Sequence, residues 1–229
     1  MKIKKHITAL ATAAALSATL PAVAQQSQHM TPETMLSLAR VGASALSPDG
    51  KTVVYSVGFP SIKDNKIRTE LFTISSDGSA RRQITQGVAG VHGARWIQQG
   101  RRISYISSES GAPQVWTMAP DGTDRRQVTN IEGGLSDYLF SPDEKQLAYI
   151  KEISFGKSTK EIYPDLPKAT GRIVTDLMYK HWDEWVETIP HIFIAPVGGE
   201  AITGGKDILE GEPYEAPTKP FGGAEELSW

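Results

Sequence analysis

The chain has 229 residues, no cysteine, and 24 lysines and arginines against 26 acids, for a formal net charge of −2. Without cysteine there is neither a disulfide framework nor a thiolate metal site, so packing must hold the fold. A near-neutral chain whose basic residues are scattered rather than striped offers no nucleic-acid surface.

Lys2, Lys4 and Lys5 precede an apolar, alanine-rich stretch, residues 7–20, and Ala22-Val23-Ala24 follows with the small-x-small pattern of a cleavage site. The apolar run is shorter than the about 20 residues a membrane-spanning helix needs. Its flanks favour a secretory signal over a buried alanine-rich helix. The expectation is an exported, periplasmic protein without a membrane span, cut near Ala24. Cleavage there leaves 205 residues and, with three lysines and no acid removed, a net charge of −5. No cysteine follows the site, which excludes a lipid anchor on an N-terminal cysteine.

Residues 25–42 read as a leader and a short helix. Thr31 is placed to cap it, Pro32 to open it, Met35, Leu36, Leu38 and Ala39 to form its apolar side, and Gly42 to end it.

From residue 43 onward the chain repeats itself. Ser47-Pro48-Asp49-Gly50-Lys51 separates two segments of strand character. Trp96-Ile97-Gln98-Gln99-Gly100-Arg101 and Phe140-Ser141-Pro142-Asp143-Glu144-Lys145 occupy the same place further on. In such a turn proline presets its own φ, the aspartate bonds nearby backbone N–H groups, and glycine permits positive φ. Asp77-Gly78-Ser79-Ala80-Arg81-Arg82-Gln83-Ile84-Thr85 returns 44 residues later as Asp121-Gly122-Thr123-Asp124-Arg125-Arg126-Gln127-Val128-Thr129, with six of nine positions identical. A repeat of 40 to 50 residues built of strands and turns is the signature of a β-propeller blade.

The predicted fold is all-β: a partial β-propeller of about three four-stranded blades plus the first strand of a fourth, preceded by the short helix. The blades fall at residues 43–86, 91–129 and 137–203, within a propeller region of 43–229. In each of the first two, a hairpin through Asp-Gly leads to a fourth strand, residues 81–85 and 125–129. The third blade is interrupted by an insertion at residues 151–190, read as a long hairpin arm or a loop with a short helix. Its third strand is expected at residues 191–196, and Ala201-Ile202-Thr203 ends its fourth. Residues 204–220 read as a linker, and residues 225–229 as the opening strand of the next blade. Because a propeller closes into a ring of four to eight blades, the chain reads as a fragment. Completion of the ring by oligomerisation is the weaker alternative.

The leader Met30-Thr31-Pro32-Glu33-Thr34, the turn Leu46-Ser47-Pro48-Asp49-Gly50-Lys51, and Leu71-Phe72-Thr73-Ile74 with Asp77-Gly78 together resemble the prolyl oligopeptidase family of serine peptidases. The likeness is greatest to its bacterial dipeptidyl-peptidase-like members. Met178-Tyr179-Lys180-His181-Trp182-Asp183 running into His191-Ile192-Phe193-Ile194 extends the likeness over residues 30–229. The resemblance implies a propeller that gates access to a C-terminal α/β-hydrolase domain with a Ser-Asp-His triad, acting on short peptides by acyl transfer. No Gly-x-Ser-x-Gly elbow occurs in this chain. The hydrolase domain is therefore taken to be its missing partner, no catalytic residue is assigned, and no cofactor is implied. The alternative is a non-enzymatic TolB-like propeller that binds protein partners.

His181-Trp182-Asp183-Glu184-Trp185 is the richest local chemistry. The resemblance implies that Asp183 or Glu184 binds the free amino group of a peptide by charge-assisted hydrogen bonds. Trp182 and Trp185 would flank a side chain or cation. The competing reading is that both tryptophans pack the insertion onto its blade or onto the absent domain. His181 and His191 could meet across a hairpin, but the dispersed histidines make no metal site. Asp49, Asp77, Asp121 and Asp143 are expected to cap turns. The Arg81-Arg82 and Arg125-Arg126 pairs are expected to be solvated or to pair across blades.

Overall fold

The structure is a computed structural model and describes residues 29–175, 177, 180–219 and 222–229. The expected signal, its cleavage site at Ala24, and Met178 and Tyr179 of the family-like segment lie outside the described residues.

Three four-stranded antiparallel sheets follow one another along the chain. The first holds β1 (Arg40–Leu46), β2 (Thr52–Ser61), β3 (Lys66–Ser75) and β4 (Arg82–Gln83). The second holds β5 (His92–Ile97), β6 (Arg102–Ser107), β7 (Gln114–Met118) and β8 (Arg126–Gln127). The third is built from β9 (Asp137–Phe140), β10 (Gln146–Ser154), β13 (Thr188–Pro196) and β14 (Lys206–Asp207). A small ribbon of β11 (Lys180–His181) and β12 (Glu184–Trp185) stands within the insertion. Two short α-helices, α1 (Pro32–Ser37) before β1 and α2 (Thr159–Ile162) after β10, and two 3-10 turns, Gln98–Gly100 and Ala224–Glu226, complete the described elements.

Alternation explains where the core lies, since residues two apart on a strand share a face. Val54 and Leu71 of the first sheet pack with Ile103, Tyr105 and Met118 of the second. Ile106 and Val115 of the second sheet pack with Tyr138, Leu147 and Tyr149 of the third. Each core is thus sandwiched between consecutive sheets, and polar bonds pin the same seams. Trp96 Nε1 donates to the Ala45 carbonyl at 3.0 Å, and Tyr138 Oη donates to the Gly93 carbonyl at 2.9 Å.

The turns behave as their sequences require. Asp49 accepts from the Ser47 hydroxyl at 2.6 Å and the Lys51 N–H at 3.1 Å, and Asp143 makes the same pair with Ser141 and Lys145. These bonds hold both carboxyls below their ordinary range. Glu144 occupies the place of Gly50, and both adopt positive φ. The repeat extends to backbone strain, for Ala80 and Asp124 at matching hairpin positions also have positive φ.

Several expectations change. Helix α1 stops at Ser37, and its apolar Met35 and Leu36 are exposed among the described residues. Gly42 lies in β1 rather than ending the helix. A β-bulge between Val41 and Ser44 brings it so close to β2 that a Cβ would sit 2.5 Å from Ser56 Oγ. The fourth strands shrink to two residues because Thr85 Oγ1 and Thr129 Oγ1 take the N–H groups of Leu71 and Val115, which ends the ladders. In the third sheet the fourth strand is β14, not residues 201–203. Ile202 instead bridges in parallel to Thr129, its N–H donating to the Val128 carbonyl and its carbonyl accepting from Asn130. Residues 224–226 form a 3-10 turn, and no strand occurs among described residues 225–229. All four arginines of the two pairs are exposed, as expected, and Arg81 and Arg125 also bond within their own sheets, Arg81 to the Tyr55 hydroxyl and Arg125 to the Tyr105 hydroxyl and Glu109.

One polar position recurs two residues ahead of the ladder pair with the short fourth strand. It is Glu70 in the first sheet, Gln114 in the second and His191 in the third, and all three are buried. Glu70 accepts from the Thr85 hydroxyl, the Gly87 N–H and Arg68. Gln114 accepts from the Thr129 hydroxyl and the Ile131 N–H and donates to the Ile131 carbonyl. Both side chains peg the chain as it leaves the sheet. His191 Nδ1 bonds Asp207 at 2.8 Å, while its buried Nε2 has no hydrogen-bond partner among the described residues.

Candidate functional site

Strands β10 and β13 pair over nine residues each, from Gln146↔Pro196 to Ser154↔Thr188. Their inner halves share the sheet with β9, whose ladder with β10 ends at Ile150↔Asp137. Their outer halves project past it and carry the insertion, so the third sheet presents an arm where the others present short connections. Ser158 and Glu161 form a capping box that starts α2. Beyond it, β11 and β12 pair Lys180 with Trp185 and His181 with Glu184, leaving Trp182 and Asp183 as the turn between them.

The ribbon, the outer part of β10 and the segment after β14 enclose a cleft of about 510 Å³. Trp182, Asp183 and Glu184 line it from the arm, Glu152 from β10, Asp137 from β9, and Lys219 from the opposite wall. Ion pairs decide which of its acids are available. Asp137 is held by Arg95 at 3.1 Å and Glu152 by Lys219 at 2.9 Å. Asp183 and Glu184 have no ion pair among the described residues, so the cleft carries two carboxylates able to meet an incoming cation. Trp182 adopts a φ of 58° and is 79% exposed at the tip of the ribbon. A bulky residue held in the left-handed region costs energy unless its surroundings fix it there.

Trp185 lies elsewhere. It lines a neighbouring cleft of about 540 Å³, with Arg172 4.6 Å and Lys180 5.0 Å from its ring. Cations against an aromatic face stabilise the arm. The structure therefore brings three of the four expected site residues into one cleft and sets the fourth apart. His181 and His191 answer to different carboxylates, Glu215 and Asp207. The residues sequence reasoning missed are Glu152, Lys219 and Glu215. The last two lie in the Gly-, Pro- and acid-rich stretch read as a linker, and nothing in its composition marks them. That segment is fixed to the third sheet by Ile208 N–H to the Ile192 carbonyl and Ala216 N–H to the Pro190 carbonyl. Among the described residues no cluster of His, Asp and Glu is placed to hold a metal ion, and no helix is long and apolar enough to cross a membrane.

Comparison with known proteins places this architecture. Dipeptidyl-peptidase 5 of Porphyromonas gingivalis is 61% identical over 202 residues, 88% of this chain and 30% of the relative. Dipeptidyl-peptidase 5 of Porphyromonas endodontalis is 48% identical over 195 residues, 85% of this chain and 28% of the relative. The chain thus spans less than a third of the length of these curated relatives. No family model matches it. Among solved structures, the acylaminoacyl peptidase of Pyrococcus horikoshii superposes with a TM-score of 0.56 at 12% identity, over 76% of this chain and 26% of that one. The AtxE2 isopeptidase superposes with a TM-score of 0.53 at 16% identity, over 77% of this chain and 32% of that one. These likenesses show a propeller-like all-β fold.

Proposed function

We propose, from the premise that this chain belongs with the dipeptidyl-peptidase 5 proteins in the prolyl oligopeptidase family, that it is the substrate-recognising propeller part of an exported serine exopeptidase. In this reading the three sheets are consecutive blades, and a C-terminal α/β-hydrolase domain supplies the nucleophile. The cleft beside the arm receives the free amino terminus of a short peptide. The observation that carries the reading is the pair Asp183 and Glu184, which face one cleft while its other acids are already neutralised.

The chemistry follows from charge. A peptide ammonium entering the cleft can donate to either carboxylate, and such charge-assisted bonds are stronger than neutral ones. Trp182 offers an apolar wall for the first side chain. Binding the amino terminus at a fixed distance from the nucleophile would set how many residues are released. The propeller would limit access to short chains.

In the full-length protein, Asp183→Asn and Glu184→Gln together are expected to lower kcat/KM on free-amino dipeptidyl substrates by about tenfold or more, the loss of a charged hydrogen bond. Unchanged kcat/KM in the double variant rules the cleft out as the amino-terminal site.

A further inference from the structure

The cleft beside the arm is lined by four carboxylates and offers two of them to a ligand, because basic residues from outside the arm hold the others. Asp137 Oδ1 accepts from two nitrogens of Arg95, each at 3.1 Å, and from the Tyr138 N–H at 2.8 Å, so guanidinium and backbone fix it together. Glu152 has one ion-pair partner among the described residues, the Lys219 ammonium at 2.9 Å. Both side chains are about one-third exposed and line the same cleft as Asp183 and Glu184. The Lys219 backbone is placed without help from its ammonium. Its N–H donates to Glu215 Oε1 at 3.2 Å, and the Ala216 N–H donates to the Pro190 carbonyl at 2.9 Å. Glu152 is therefore neutralised by a single charge that can be removed while the backbone of the wall keeps its own bonds.

We propose that Lys219 is a charge mask, a specificity-determining residue that keeps Glu152 from competing with Asp183 and Glu184 for the amino group of a peptide. An ammonium approaching Glu152 meets a carboxylate whose charge is already balanced and the like charge of Lys219 beside it. At Asp183 and Glu184 it meets carboxylates without an ion pair among the described residues. The masked acid and the open ones stand on different elements, Glu152 on β10 and the other two on the ribbon of the arm. An amine seated at Glu152 would thus hold the peptide in a different register. A slip of one residue moves an extended chain by about 3.3 Å, and a cleft of about 510 Å³ has room for that step. With Glu152 masked the cleft holds the amino terminus in one place, so the released fragment has one length. This inference rests on the proposed amino-terminal site.

Product length reads the mask. In the full-length protein, the first products from a short unblocked peptide, followed by mass spectrometry at early times, should be dipeptides. Lys219→Met keeps an unbranched side chain of similar length and removes the charge. It should raise the share of single residues and tripeptides at least about tenfold over the wild type, since a charge-assisted bond to Glu152 becomes available. Lys219→Gln serves if the methionine variant fails to fold. Adding Glu152→Gln to either variant should restore dipeptides, a rescue that a merely structural role for Lys219 does not produce. Dipeptides alone from both folded Lys219 variants, or mixed lengths that persist after Glu152→Gln is added, overturn the mask. If the Asp183→Asn, Glu184→Gln double variant loses kcat/KM while the Lys219 variants still release dipeptides alone, the mask falls and the amino-terminal site stands. If that double variant keeps its kcat/KM, the amino-terminal site falls and takes the mask with it.

Discussion

The second and third sheets share a strand plan yet treat the same buried polar position differently. Gln114 satisfies a threonine hydroxyl and both polar groups of Ile131, and the chain leaves the sheet at once. His191 holds Asp207 with one ring nitrogen and finds no partner for the other among the described residues, while the strands around it lengthen into an arm. A repeat keeps its peg where the sheet must be closed off. In the third sheet the polar residue no longer pins the departing chain, unlike in the first, whose strands β2 and β3 pair over ten residues and still keep Glu70 as a peg. The regular sheets supply a frame, and the irregular one supplies the cleft.

The sharpest test of this contrast is a matched pair of substitutions. Gln114→Leu leaves three buried groups without partners and should cost about 3–5 kcal/mol in urea unfolding. His191→Leu breaks only the bond to a partly exposed Asp207 and should cost about 1–2 kcal/mol. Equal costs would show that the two pegs do the same work.

A second contrast separates the first two sheets. Gly78 and Gly122 hold the same hairpin position with φ of 86° and 88°. Around Gly78 a Cβ would meet nothing within 4 Å, whereas at Gly122 it would stand 2.4 Å from the Ile84 carbonyl oxygen. Gly78→Ala should therefore cost only the left-handed conformation, about 1–2 kcal/mol, and Gly122→Ala about 3 kcal/mol or more. Thermal unfolding of the two variants distinguishes them.

The seam between the second and third sheets should respond to alkali. Burial pushes the Tyr138 phenol up to about 12, and its hydroxyl also bonds Ser104. A raised pKa means stability fully present below the unfolded tyrosine value near 10 and lost as pH rises through about 12. Tyr138→Phe should cost about 1–2 kcal/mol at neutral pH and flatten that part of the unfolding profile. The smallest effect belongs to the turns. The lowered carboxyls of Asp49 and Asp143 contribute stability above the ordinary aspartate range and lose it as pH falls through their lowered values. Asp49→Asn and Asp143→Asn should differ from the wild type only above that range, and by similarly small shifts in the acid-unfolding midpoint.

The frame was legible because its signals are local. Strand-forming runs such as Val53-Val54-Tyr55, and turns such as Ser-Pro-Asp-Gly, specify strands wherever they occur. The arm was visible as an interruption, and its charged and aromatic residues stood out. The opposite wall was not legible. Lys219 and Glu215 lie in a stretch without periodicity, brought to the cleft by long-range contacts such as the hydrogen bonds to Pro190 and Ile192 and the Lys219–Glu152 ion pair. The same holds for β14, two residues long and fixed by pairing with Phe193 and Ile194. Ile202 looked like a strand residue and became a bridge to the second sheet, because long-range pairing overrode its local propensity.

We propose that the cleft reads a free amino terminus through Asp183 and Glu184. The most direct measurement is the ratio of kcat/KM for a free dipeptidyl substrate to that for its N-acetylated form, in the full-length protein and in the Asp183→Asn, Glu184→Gln double variant. Recognition by charge predicts a strong preference for the free amine in the wild type that collapses toward unity in the variant. A preference that survives unchanged would contradict it and move the amino-terminal site elsewhere.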